Sequence, residues 1–154
     1  MIQYVRIATD GTNIAEVIDF DPVGRYHPII VWHPYTSLPE KQAVLKNLAT
    51  ARRWLHETGG IALPVGGRVG TTIEDQNRIT SVITNAALAG VGSVDFKAAS
   101  GWVTLSLEEV RGIAAAIAVH VQACFSAERA HHAAIDTLDL LGTQTYDVSI
   151  GWPV

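Results

Sequence analysis

Two four-residue segments constrain this chain more than any other: Thr72-Ile73-Glu74-Asp75 and Ser106-Leu107-Glu108-Glu109. In each, a hydroxyl residue is followed three positions later by an acid. In that pattern a side-chain oxygen and a carboxylate satisfy free N–H groups at a helix start. Each segment also follows a stretch that reads as a hairpin. Ile61 to Val65, Gly66-Gly67 and Arg68 to Thr71 precede the first; Val94 to Lys97, Ala98 to Gly101 and Trp102 to Leu105 precede the second. The caps lie 34 residues apart (72 to 106), so the chain follows a hairpin-helix plan twice. The strands share no clear identity, and the repeat is one of plan.

The first cap predicts a helix from Ile73 to about Leu88, with Ile79, Val82, Ile83 and Ala86 on its buried face and Gly90-Val91-Gly92 ending it. The second predicts the longest element, Leu107 to Leu138. Val110, Ile113, Ile117, Val121, Cys124 and Phe125 form its apolar stripe, and alanines between 114 and 134 keep it slim and helix-prone. Read in heptads, positions 110, 113, 117, 120, 124, 127, 131, 134, 138 and 141 make an imperfect seam. It suits a core helix lying on the two hairpins, and it also suits packing against copies of itself.

Around this centre the chain reads as α+β. Residues 1–38 form an N-terminal β docking unit: Tyr4 to Ala8, a turn at Asp10-Gly11, Ile14 to Phe20, then an apolar run from Pro28 to Trp32. So short a unit cannot build its own core and must pack on the chain or on a partner. Residues 39–58 form a linker helix with a stripe of Leu45, Leu48, Ala49, Arg52 and Leu55, stopped by Gly59-Gly60. Residues 59–142 hold the two hairpin-helix units. Residues 143–154 alternate, with Tyr146, Val148, Ile150 and Trp152 on one side, and so predict a C-terminal strand that joins the sheet or another chain.

Apolar residues make up 48% of the chain, enough for a core. Only 11 lysines and arginines and a net charge of −4 argue against nucleic acid as a partner. The single cysteine, Cys124, excludes an intrachain disulfide and fits folding in a reducing cytoplasm. The first residues lack a signal-peptide layout. The most apolar run, Ile113 to Val119, is shorter than the roughly 20 residues that span a bilayer. The expectation is a soluble chain without membrane insertion.

Candidate chemistry is sparse. His120 and Cys124 share a helix face and, with His131 or His132, make an incomplete zinc set; no cofactor or metal is expected. Ser93, Ser100, Ser106 and Cys124 stand in no nucleophile elbow. The acid pairs Glu74-Asp75 and Glu108-Glu109 occupy first helical turns, where acids complement the helix dipole. Gly66-Gly67-Arg68-Val69-Gly70 lacks the ending of a phosphate loop. Trp32, Trp54, Trp102 and Trp152 read as anchors of a core or interface before glycan platforms.

Several of these segments resemble a phage domain family of unknown function found on tail-fibre and tail-fibre-assembly genes. The likeness rests on Arg52-Arg53-Trp54, the glycine-rich stretch from Gly59-Gly60 to Gly67, Thr72 to Arg78, Trp102-Val103-Thr104-Leu105-Ser106, and the alanine-rich helix from Ala114 to Ala134. Ile18 to Trp32 looks like the opening of small phage tail proteins, and Tyr146 to Pro153 resembles a Gly-Trp-Pro terminus common beside the family domain. The resemblance carries over no catalytic residue. It implies a non-enzymatic structural protein of the virion tail, made in the bacterial host cytoplasm. Such a protein would sit in the fibre or baseplate region, contact other tail or fibre proteins with trimeric symmetry, and serve host attachment. Pro28, Trp32, Tyr146, Val148, Ile150 and Trp152 are the expected partner-binding residues. The alternative is a tail-fibre assembly chaperone absent from the mature virion; an envelope-degrading enzyme is a third reading.

Overall fold

The computed structural model describes residues 3–7, 14–18, 22–25, 33–35, 37–63, 67–98 and 101–154. In chain order its elements are β1 (Gln3–Ile7), β2 (Ile14–Ile18), β3 (His33–Tyr35), α1 (Leu38–Thr58), β4 (Ile61–Ala62), β5 (Arg68–Val69), α2 (Ile73–Ala89), β6 (Ser93–Ala98), β7 (Gly101–Ser106), α3 (Leu107–Asp136) and α4 (Gly142–Thr145). The chain is α+β, with the hairpin-helix plan repeated as expected. Its contacts divide it into residues 1–48 with 132–147, and residues 49–131 with 148–154.

The first unit carries a three-stranded antiparallel sheet of order β2-β1-β3. Tyr4 lies opposite Ile18 and Pro34, and the β1–β2 register slips between Arg6 and Ile7. The predicted turn at Asp10-Gly11 and the predicted run from Pro28 to Trp32 lie outside the described residues. Helix α1 opens one residue before the sequence reading placed it. The backbone N–H and hydroxyl of Ser37 both donate to Glu40 Oε2, at 2.9 and 2.7 Å, so Ser-x-x-Glu starts this helix too. Gln42 Nε2 donates to the carbonyls of Ile135 and Leu138 (3.1 and 3.2 Å), which satisfies acceptors left free where α3 ends. Lys46 pairs with Asp136 at 2.5 Å.

The C-terminal strand predicted over 143–154 is not formed. Asp139 Oδ1 accepts from the Gly142 N–H (2.7 Å), and the Thr143 hydroxyl donates to the Leu140 carbonyl (2.7 Å). These local bonds hold the backbone as the short helix α4 instead of leaving it for a ladder. Residues 148–151 then follow turns and bends, with Gly151 at φ +84°. The expected alternation fails with the strand: Ile150 is 64% exposed, while Val148 and Trp152 are half-buried.

In the second unit the β4–β5 pair sets Ile61 opposite Val69, and the β6–β7 pair runs from Ser93↔Ser106 to Ala98↔Gly101. Both predicted caps are made. Thr72 and Asp75 form a reciprocal capping box, and the Glu109 N–H donates to Ser106 Oγ (3.2 Å) while Glu109 Oε2 accepts from the Ser106 N–H and hydroxyl. Gly90 closes α2 in the left-handed region at φ +66°. Ile61, Val69, Ile79, Val110 and Ile117 form the core, with Val82, Ile83, Val94, Phe96 and Leu105 packed against it. Thr71, fully buried, donates to the Glu57 carbonyl and accepts from the Gly60 N–H (2.9 Å), tying the end of α1 to the start of α2.

Two helix faces bear on the expectations. The buried residues of α3 in this unit are Val110, Ile117, His120, Cys124 and His131, so the heptad seam is filled within the chain. On α1 the expected stripe is displaced: Leu55 is 62% exposed and Arg52 exposed, while Ala49 and Glu57 are buried. Among the described residues α3 is also long and apolar enough to cross a membrane by length and composition, with an 18-residue window of mean hydropathy 1.4. The buried stripe of the same helix carries two hydrogen-bonded histidines.

Candidate functional site: the polar seam of α3

The lower half of the α3 seam is polar where a core helix is usually apolar. His120, Cys124 and His131 follow one another along the buried side, and residues 49–58 of α1 and the C-terminal segment supply the groups they meet. His120 Nε2 lies 2.9 Å from the His56 carbonyl and 3.6 Å from Cys124 Sγ. A carbonyl only accepts, so this nitrogen carries the proton and donates to it. The same nitrogen therefore cannot take a proton from the thiol. Burial pushes the Cys124 thiol up from its ordinary value, against the opposing pull of the Arg53 charge. Burial and these contacts hold both side chains in the packed seam.

One turn further on, Arg53 bonds to Glu57 and, at 2.8 Å, to Glu128. The Glu128 carboxylate also accepts from the Thr50 hydroxyl, and the Phe125 ring covers the guanidinium with 4.4 Å to its centroid. The Arg53 and Glu57 side chains are only 13% and 5% exposed. One cation thus holds two carboxylates in a largely water-free place, which is why the polar side of α1 turns inward.

At the far end, Trp152 stacks on two imidazoles. His56 stacks on it at 5.5 Å between centroids and 11° between planes, and His131 at 4.9 Å and 21°. The indole N–H donates to the Val148 carbonyl at 2.7 Å, and His131 Nε2 donates to the Ile150 carbonyl at 3.0 Å. Residues 148–154 are thereby strapped onto the second unit.

The sequence matches the family model of a domain of unknown function, DUF4376, over residues 40–150. The chain belongs to the DUF4376 family. No curated protein and no solved structure matches it. The matched span of this DUF4376 chain runs from the first turn of α1 to Ile150 and so includes the whole α3 seam.

Of the residues the sequence singled out for partner binding, Pro28 and Trp32 lie outside the described residues. Tyr146 is half-buried in the first unit, and burial pushes its hydroxyl up from its ordinary value. Val148 and Trp152 are engaged with their own chain, and Ile150 is the exposed member. His131 faces the Ile150 carbonyl and the Trp152 ring. Among the described residues no three His, Cys, Asp or Glu side chains are grouped to hold a metal ion. Sequence reasoning missed Arg53, Glu57, Glu128 and His56. The i,i+4 spacing of Arg53 and Glu57 was visible as a helix pair; nothing in the sequence linked either to Glu128, or His56 to Trp152.

Proposed function

We propose that the chain is a non-enzymatic structural component of a phage tail, in the fibre or baseplate region, that attaches or supports the receptor-binding apparatus. The resemblance carried by residues 52–138 motivates this reading, and that segment falls inside the family span of 40–150. The observation that carries it is how the reactive groups are used. Asp75 and Glu109 cap helices, Glu74 and Glu108 pair with Arg78 and Arg111 on their own helices, and the Cys124 thiol is buried and pushed up. These four acids and this thiol are engaged in caps, helix ion pairs and packing. The docking elements are the N-terminal β unit of residues 1–38 and the C-terminal segment, where Ile150 and Val154 are open apolar side chains. Trimeric symmetry in the particle belongs to the same proposal.

The assembly-chaperone reading is favoured by the open face of the β6–β7 ribbon, where Trp102 is 72% exposed. An apolar strand surface suits transient cover of a folding partner. Mass spectrometry of purified particles separates the two. Recovery at a fixed stoichiometry, in a multiple of three, is the expected result. Absence from particles with fibre-bound protein in the lysate establishes the chaperone, and absence from both overturns both readings.

A further inference from the structure

Three of the chain's 11 lysines and arginines line one cavity of the second unit, Arg68 from β5, Arg78 from α2 and Lys97 from β6, together with Phe96. This happens in a chain of net charge −4, so the local surplus runs against the global one. The neighbours cancel it only in part. Asp75 also lines the cavity and keeps its negative charge while its Oδ2 accepts from the Thr72 N–H and hydroxyl at 3.1 and 2.7 Å, so three cations face one carboxylate in the lining. Arg68 Nη2 donates to the carbonyls of Gly59 and Gly60, both at 3.2 Å, which orient the guanidinium without neutralising it. Arg78 pairs with Glu74, but both are exposed, and such pairs are weak and screened. Lys97 makes no ion pair among the described residues; its ammonium lies 5.9 Å from the Trp102 ring centroid. A cleft whose lining carries a surplus of one sign of charge concentrates the opposite ion.

The cavity measures about 90 Å³, well below the roughly 300–1,000 Å³ of a site that encloses a drug-sized ligand. It has room for a headgroup and none for a nucleotide. Arginine suits such a headgroup because its planar fork matches the spacing of paired oxyanion oxygens.

We propose that this cavity binds one oxyanion of the phosphate type, free or borne as an ester on a larger molecule, through Arg68, Arg78 and Lys97. The side chains do the binding, so the site is unlike a phosphate loop, whose backbone N–H groups cradle the ligand. It goes beyond the structural role proposed above and does not depend on it.

The test is calorimetric titration of the full chain with inorganic phosphate and with glycerol phosphate, chloride holding the ionic strength constant. Saturable binding of both is expected, weakened at least about tenfold by the exposed double change Arg78→Gln with Lys97→Gln. Lys97→Gln alone weakens it less, and Lys41→Gln leaves it unchanged. Unfolding midpoints of the variants, measured without phosphate, show that the fold is kept. Binding of inorganic phosphate alone upholds the site and restricts it to the free ion. No saturable heat with either probe, or equal binding by the double variant, overturns the proposal.

Discussion

Trp152 stacks on His131 with 4.9 Å between ring centroids and 21° between planes, and on His56 at 5.5 Å and 11°. The indole is therefore packed against two rings of its own chain. A ring so placed is already spent as an anchor, and docking through Trp152 requires the strap to be released first. In the C-terminal segment Ile150 and Val154 are the exposed large apolar side chains.

Trp152→Ala should therefore cost stability. Two aromatic stacks, one indole hydrogen bond and the lost burial together amount to about 3 kcal/mol. For a chain of this size that lowers the unfolding midpoint by roughly 6–12 °C. Ile150→Ala is the control, expected to stay within about 0.5 kcal/mol because that side chain is largely in water. Urea unfolding of both variants gives the comparison; equal loss from the two would mean that the stack holds nothing.

Arg53 is the only cation bonded to both Glu57 and Glu128 among the described residues. Arg53→Met leaves two carboxylates in a place with little water, at an expected cost of about 3 kcal/mol. Adding Glu57→Gln should return part of that loss, because one of the stranded charges is then gone. A double-mutant cycle read by urea unfolding measures the coupling. Additive losses would show that the two residues act separately.

The caps predict an acid limb. Hydrogen bonds from Ser106 hold the Glu109 carboxyl below its ordinary 4.5, and hydrogen bonds from Ser37 do the same for Glu40. A depressed folded value means that the stabilisation is complete above the unfolded value and is lost as pH falls through the folded one. Ser106→Ala and Ser37→Ala should each flatten the fall in unfolding midpoint on acidification below about pH 4.5. Thr72→Ala should cost about 1 kcal/mol at neutral pH through the same kind of loss. Midpoints recorded from neutral to acid pH test all three.

Much of the fold was legible in the sequence because its signals close over short distances. A capping bond joins residues three apart, so Thr72 with Asp75 and Ser106 with Glu109 announced two helices and the hairpins before them. The Ser37–Glu40 spacing was equally present, but Pro39 and the turn-rich run before it drew the boundary later. The stripe of α3 was visible as a period, and its buried members lie where that period places them. The C-terminal alternation had the right period for a strand, yet side-chain bonds from Asp139 and Thr143 to nearby backbone coiled the start of that segment into α4.

By itself, then, the sequence determined where helices begin, which faces of α2 and α3 are apolar, and that the chain is α+β. Those choices rest on interactions between near neighbours. Only the tertiary structure decided that Trp152 stacks on His56 and His131, that Arg53 holds Glu128, and that Arg68, Arg78 and Lys97 share one cavity. Contacts between residues distant in the chain follow from how elements pack, and no local pattern encodes which side chains that packing brings together.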